Sequence, residues 1–390
     1  MAIAFDETPR FPRGFVCASR NCGLKETGKD LTVFFSQAPA AAAAVFTRNL
    51  IAGAPVIIGR ERIRAGRLRG IVVNSKVSNV GTGAEGLRKA ERMATAAASE
   101  LGVPAEEILM SSTGVIGVPL PIEKIERGLV GIAGDLQSDP LVGAEGMMTT
   151  DTHPKALSCA AGDAVITIVA KGSGMIEPNM ATMLAYIFTD AEFSAAELDA
   201  LLRPAVDVSL NMLSVDSDTS TSDTCALLAN GLAGRVPTEV FRAALEAACI
   251  RMAELLARDG EGASKLLRIT VRGALNADEA RRIAKSIVNS PLIKTMAYGA
   301  DPNVGRIFMA VGKNFECKVI PERLSAVING MTVLENGLRA DYDEPGLRQS
   351  LAGDPVEIEV DLGVGNGAAT AFGCDLTEGY INENAAYFSS

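Results

Sequence analysis

The chain contains no tryptophan and a single histidine, His153, in 390 residues. That scarcity excludes much chemistry. A Ser-His-Asp or Cys-His machine would have to run through His153, and a zinc centre built on two or three imidazoles cannot be assembled. His153 stands in TTDTHPK beside Pro154, which reads as a loop imidazole rather than a base. The seven cysteines, Cys17, Cys22, Cys159, Cys225, Cys249, Cys317 and Cys374, are odd in number and scattered, with no C-x-x-C pair. Reduced, mostly buried thiols are expected. Positive charge is also short: 37 Lys and Arg stand against 47 Asp and Glu, a net charge of −10. Nucleic acid and anionic membrane both need clustered basic residues, so neither is expected as a partner. No apolar run reaches the ~20 residues of a membrane span, and MAIAFDETPRFPRGF has no basic stretch followed by an apolar one. A cytoplasmic enzyme acting on small molecules is the class that remains.

What is present is apolar mass and small-residue loops. With 48% hydrophobic residues the chain can bury a large core, as one big domain with lobes or as two domains. Residues 14–58 alternate strand-like runs (Thr32 to Phe35, Ala44 to Thr47, Val56 to Ile58) with turn residues, which predicts an antiparallel meander. Ile71-Val72-Val73 leads into the loop NSKVSNVGTG, residues 74–83, and Ala84 to Leu101 carries apolar residues at helical spacing up to Gly102-Val103-Pro104. Ile108-Leu109-Met110 then repeats the pattern of a buried strand emptying into a turn, SSTGVIG. There Thr113 and Gly114 could aim a hydroxyl and backbone N–H groups at developing negative charge, or form a plain turn. Pro121 to Ile132 reads as helix, Thr149 to Thr152 as a hydroxyl cluster, and Ala164 to Val169 as a strand. After residue 190, Ser194 to Glu197 forms a capping box for a helix reaching about Arg203 before Pro204. VDSDTSTSDT (215–224) departs from a calcium loop at Thr221 and Leu227, so a hydroxyl-rich structural or active-site turn is expected. Thr238 to Arg258 and Ala277 to Val288 read as helices, Leu266 to Val271, Ile358 to Leu362 and Thr370 to Gly373 as strands. Residues 289–306 read as a loop-rich segment with one short helix.

The stretch that matters most is AKGSGMIEPNMATMLAYIFTD, residues 170–190. A glycine-rich turn runs through Glu177-Pro178-Asn179 into Ala181-Thr182, and Met183 to Phe188 then reads as a buried strand. A threonine hydroxyl is a weak nucleophile that needs an adjacent base, and one solution is its own α-amine once the preceding peptide bond is cut. Ala181-Thr182 suits such a cut, while Gly172, Gly174 and Pro178 allow and impose tight backbone geometry. On these residues alone a glycine loop before an ordinary core strand is the simpler reading.

Taken together, the loops resemble the ornithine acetyltransferases (glutamate N-acetyltransferases) of the cyclic arginine pathway. The resemblance spans about Arg13 to Ser389. It is carried by VFTRN (45–49), SSTGVIG (111–117), MTTDTHPK (148–155), AKGSGMIEPNMATML (170–184), DTSTSDT (218–224), DGEGA (259–263), NSPLIKT (289–295), DPNVGR (301–306) and ATAFGCDLTEGY (369–380).

The resemblance implies an α/β (α+β) fold, an N-terminal-nucleophile-like layered sandwich of mixed sheets and helices with a C-terminal α/β lobe at about 262–390. It implies self-cleavage between Ala181 and Thr182 into an α chain, 1–181, and a β chain, 182–390, which would assemble further as αβ units. Thr182 would be the nucleophile, with Thr113 and Gly114 as oxyanion hole. Thr149, Lys171, Thr182, Glu261, Asn384 and Ser389 would contact the substrates, N2-acetylornithine and glutamate. No metal or bound cofactor is implied, and acetyl-CoA is left open as a second acetyl donor. The chain departs from the family pattern NSGNANACTG at Lys76 and Val77, and from DPNWGR at Val304. These departures keep a second reading open: a paralogous acyltransferase or amidase acting on another N-acyl amino acid.

Overall fold

The computed structural model of the chain describes residues 3–177 and 183–386. Ala181, Thr182 and Ser389 lie outside the described residues. The chain divides into two compact units, one of Met1–Gly172, Pro178–Asn211 and Asp218–Met252, the other of Ser173–Glu177, Met212–Ser217 and Ala253–Ser390.

The first unit is built on an eight-stranded mixed sheet. Its strands are β1 (Phe15–Arg20), β2 (Leu31–Phe46), β3 (Arg67–Asn74), β4 (Ile108–Ser112), β5 (Lys155–Ala161), β6 (Ala164–Lys171), β7 (Leu184–Ala191) and β8 (Thr224–Gly234). They lie in the order β4-β3-β2-β8-β7-β6-β5, with β1 also paired to β2. The β3–β4 and β7–β8 pairs are parallel and the others antiparallel. Register explains why both faces are apolar. Phe34, Ile71 and Leu109 are cross-strand partners and enter one core, while their neighbours Val33, Val72 and Met110 are partners on the opposite face and enter another. The helix Gly83–Leu101 covers the second face with Ala90, Met93, Ala94 and Ala97, and the helix Pro140–Met147 adds Ala144 and Met147 to the first. Helices on both sides of a mixed sheet give the layered α/β arrangement expected.

Three local expectations need correction. Thr32 to Phe35 and Ala44 to Thr47 are not two strands of a meander, because both belong largely to the single 16-residue strand β2. Pro39 sits where the β2–β3 register shifts between Phe35 and Ala40, a place where a missing N–H is tolerated. Val56 to Ile58 is helical, within Ala54–Arg62, since Pro55 opens the first turn with its fixed φ. The helix capped by Ser194 runs from Ala195 to Asp207, past Pro204. Proline there forfeits one donor, but Leu201, Leu202, Ala205 and Val206 are buried on both sides of it and hold the last turn.

The second unit carries a seven-stranded mixed sheet. Its main strands are β9 (Leu266–Ala274), β10 (Ser325–Ile328), β11 (Met331–Glu335), β12 (Leu338–Arg339), β13 (Val356–Asp361) and β14 (Gly367–Cys374), in the order β12-β11-β10-β13-β9-β14, with Leu213–Ser214 beyond β14. The helix Ala277–Val288 packs on β9 and β14 through Ala280, Ile283, Ala284 and Ile287. Residues 289–306 contain the helix Pro291–Tyr298 and the start of another, Gly305–Gly312, rather than one short helix. The polar tail also forms a helix, Glu378–Ala386. Among the described residues no helix is long and apolar enough to cross a membrane.

Phe188 is fully buried against Phe11, Phe15 and Phe34, with ring centroids 5.2–5.4 Å apart. Phe188→Ala should therefore destabilise the protein by about 3–5 kcal/mol, read as a lower urea midpoint with an unchanged slope.

Candidate active site

Two parallel strands set down two loops side by side in the first unit. β3 ends at Asn74 and β4 at Ser112, which are paired in register, so the segments 75–80 and 113–117 leave the sheet together. They are then stitched. Thr113 N donates to the Asn74 carbonyl at 3.0 Å, Val115 N to the Lys76 carbonyl at 3.0 Å, and Ser78 N to the Val115 carbonyl at 3.1 Å. The Asn74 side chain accepts from Ser112 Oγ at 2.6 Å and donates to the Val77 carbonyl at 2.8 Å. Since the Thr113 N–H is taken up by Asn74, the hydroxyl is what Thr113 retains for a ligand.

Gly114 is required at this crossing. Its φ is +125°, and a Cβ built there would stand 2.2 Å from the Lys76 carbonyl carbon. Lys76 itself is held at φ +84°, in the left-handed region that a lysine rarely adopts. A strained residue whose carbonyl fixes the neighbouring loop is the kind of feature found at functional sites.

A buried carboxylate organises the other loops of this unit. Asp151 Oδ1 accepts from Lys155 Nζ at 2.6 Å and from Gly172 N at 2.7 Å, and its Oδ2 accepts from Thr149 N at 3.0 Å. Burial alone would raise this carboxyl, but the Lys155 and Lys171 ammonium groups and the hydrogen bonds outweigh it and bring it below the usual range. Thr149 and Lys171, named separately from the sequence, are thus gathered around one anion. Lys25 belongs to the same neighbourhood. It donates to the Met148 carbonyl at 2.7 Å, and burial together with the nearby Lys171 and Lys76 charges lowers its pKa against the pull of Asp30 and Asp151. Four lysines, Lys25, Lys76, Lys155 and Lys171, near one loop cluster make a field suited to a carboxylate-bearing ligand.

The strand that begins at Leu184 starts beside this cluster. Lys171 is the register partner of Leu184, and Leu184 of Thr224 on β8, while Thr224 N donates to the Met183 carbonyl at 3.1 Å.

In the second unit, residues 173–177 are fastened one by one. The Ser173 carbonyl accepts from Glu261 N at 2.9 Å, and Asp216 accepts from Met175 N at 2.6 Å and Ile176 N at 2.8 Å. The Glu177 carboxylate meets Lys285 Nζ at 3.1 Å and Asn289 Nδ2 at 3.0 Å. Gly174 has to be glycine, because a Cβ would lie 2.2 Å from the Glu261 carboxyl carbon. Asn384 Nδ2 donates to Glu261 Oε2 at 2.7 Å, so these two expected substrate positions do meet. Asp216 serves backbone amides, which fits the structural reading of the 215–224 turn, and among the described residues no group of metal-ligating side chains forms. His153 is exposed in a loop and bonds through Nδ1 to the Thr152 hydroxyl at 2.9 Å.

Sequence reasoning missed Asp151, Lys25 and Asp223 as members of the first unit's polar interior. The D-x-x-x-K spacing of Asp151 and Lys155 allows an ion pair but does not distinguish a buried aspartate from a solvated one.

Comparison with known proteins gives a consistent result. The ArgJ family model matches residues 16–389. The chain is 47% identical over 381 residues to the arginine biosynthesis bifunctional protein ArgJ 2 of Clostridium acetobutylicum, covering 96% of this chain and 97% of that one. It is 44% identical over 391 residues to the glutamate N-acetyltransferase Oat2 of Streptomyces clavuligerus, covering 98% and 99%. A crystal structure of the arginine biosynthesis bifunctional protein ArgJ from Bacillus halodurans is 40% identical, with a TM-score of 0.51, and covers 53% of this chain and 100% of its own.

Two outcomes follow from this geometry. Gly114→Ala should cost about 1–3 kcal/mol through its disfavoured φ and the clash with Lys76, measurable as a lower melting temperature. Asp151→Asn takes the carboxylate from a buried ammonium and should cost about 3–5 kcal/mol near neutral pH. Because the Asp151 pKa is depressed by folding, its stabilisation is present above the unfolded carboxylate pKa of about 3.9 and is lost as pH falls through the lower folded value. Denaturation series at several pH values should show the gap between Asp151→Asn and the parent chain narrowing in acid.

Proposed function

The chain belongs to the ArgJ family, and on that premise we propose that it is a glutamate N-acetyltransferase of arginine biosynthesis, moving acetyl from N2-acetylornithine to glutamate through Thr182. The observation that carries the reading is the gathering of Thr149 and Lys171 around Asp151, in the same unit as the Thr113–Gly114 loop. Lys171 is also the register partner of Leu184, two residues after Thr182.

In this mechanism the Thr182 hydroxyl attacks the acetyl carbonyl and the threonine's own α-amine takes its proton. The Thr113 hydroxyl and the Gly114 N–H stabilise the tetrahedral oxyanion. Ornithine leaves, the acetyl group remains as a threonine ester, and the glutamate amine then attacks that ester. Lys171 supplies a point charge for the substrate α-carboxylate, Thr149 a hydroxyl, and Glu261 with Asn384 the polar groups of the remaining substrate positions, together with Ser389. Metal and bound cofactor have no part in these steps, and thiol release from acetyl-CoA is the assay that decides whether it is a second acetyl donor.

The nucleophile is made by cutting the Ala181-Thr182 bond. The same hydroxyl attacks the Ala181 carbonyl, the acyl group moves from nitrogen to oxygen, and water releases it. Supporting this, the solved Bacillus halodurans chain aligns over its whole length with 53% of this chain, close to the share made up by residues 182–390. The cut gives α and β chains that stay together and assemble further as αβ units.

Purified protein should show two fragments on denaturing electrophoresis and by mass, the second beginning at Thr182. Release of ornithine from N2-acetylornithine should require glutamate, and thiol release from acetyl-CoA should require it too. Thr182→Ala should stay uncut and inactive. An active enzyme that remains one chain contradicts the reading, and acetyl released to water at the same rate without glutamate would make the protein an amidase.

A further inference from the structure

In the second unit a buried hydroxyl serves the loop that carries Glu261. β9 and β14 are antiparallel with Leu266 and Cys374 as register partners, so Lys265 and Asp375 meet where the two strands end, and Asp375 N donates to the Lys265 carbonyl at 3.2 Å. The Asp375 carboxylate, 2% exposed, accepts from Ser264 N at 2.8 Å, from Lys265 N at 3.0 Å and from the Ser264 hydroxyl. That fixes the exit of the DGEGA turn. Two residues on, the Thr377 hydroxyl donates to the Gly262 carbonyl at 2.6 Å and accepts from Gly379 N at 2.9 Å, which caps the start of the tail helix Glu378–Ala386. Gly262 stands at φ +66°, and a Cβ there would lie 2.3 Å from Tyr380 N, so the turn and the helix start touch backbone to backbone. Further along the helix, Asn384 Nδ2 donates to the Tyr380 carbonyl at 3.0 Å as well as to Glu261 Oε2. Thr377 thus joins the residue after Glu261 to the helix that presents Asn384.

We propose that Thr377 is a positioning residue for the acetyl-donor half of the reaction, holding Glu261 and Asn384 together where the distal ammonium of the donor binds. The proposal rests on the transferase reading given above, in which Glu261 and Asn384 are substrate positions. A carboxylate steadied by one amide suits an ammonium and repels a second carboxylate. Of the two substrates, N2-acetylornithine carries a free distal ammonium and glutamate a distal carboxylate, so the Glu261 site belongs to the donor. Glycines flank Glu261 on both sides, at 260 and 262, and such a backbone has wide freedom unless something ties it. The Thr377 hydroxyl is that tie. It acts through the Gly262 carbonyl and through the helix cap.

The test uses full-length enzyme with Thr377 replaced by serine, aspartate or valine. Serine keeps both bonds, aspartate keeps the cap but has no proton for the Gly262 carbonyl, and valine loses both. In a ping-pong exchange kcat/KM for each substrate reports its own half-reaction, so the two are measured separately. Thr377→Asp and Thr377→Val should lower kcat/KM for N2-acetylornithine about 10-fold or more and leave that for glutamate unchanged, while Thr377→Ser should recover the donor value. Glu261→Gln should show the same selective loss, and adding Thr377→Val to it should cost little more, because both changes act through one carboxylate. Equal losses for the two substrates, an aspartate variant that matches the parent, or a Glu261→Gln enzyme without the selective loss overturns the proposal. If the valine variant fails to fold, the aspartate and serine variants decide. A parent enzyme that exchanges no acetyl between the two amino acids overturns the transferase reading itself, whereas the failures above leave that reading standing.

Discussion

The first unit's loops depend on one buried carboxylate. Asp151 bonds Lys155 on β5, Gly172 at the end of β6 and Thr149 in the loop between helix and strand, so three chain segments share one negative centre. An ion pair this deep is seldom kept for stability, because desolvation offsets most of its attraction. Its value here is geometric. The two amides and the ammonium converge on the carboxylate only when Thr149 and Lys171 stand at fixed places beside the chain that continues into the Gly172 turn.

That turn is where the chain passes from one compact unit to the other, between Gly172 and Ser173. Within the second unit nearly every residue of Ser173 to Glu177 is tied down, by Glu261, Asp216, Val215, Lys285 and Asn289. Within the first, Met183 and Leu184 are held on β8. The chain on either side of residues 178–182 is thus held within its own unit by groups distant from it in sequence.

The sequence was most informative where periodicity and turn chemistry agree. The helices Gly83–Leu101 and Ala277–Val288 and the strands around Ile71, Leu109, Ile166 and Ile187 follow directly from their apolar spacing. It was least informative where tertiary contacts overrule local preference. Pro39 lies inside a long strand because a register shift absorbs it, Pro204 inside a helix because its flanks are buried, and Val56 to Ile58 in a helix despite β-branched residues. For the site, small-residue and hydroxyl-rich loops after buried strands marked Thr113, Gly114 and Thr149 as candidates, and the resemblance added Lys171, Glu261 and Asn384. Asp151 and Asp223 were not legible, because nothing local distinguishes a buried aspartate from the solvated ones that fill turns. Only the fold shows that one is saturated with donors and that the other, among the described residues, is left with an open oxygen.

The central claim is that acetyl rests on Thr182 between its two owners. Incubating the enzyme with N2-acetylornithine in the absence of glutamate and weighing the fragments under denaturing conditions tests it directly. The fragment beginning at Thr182 should gain the mass of one acetyl group, localised to its first residue, and should lose it when glutamate is added. Sustained exchange between the two amino acids with no acetylated fragment at any time would contradict the account.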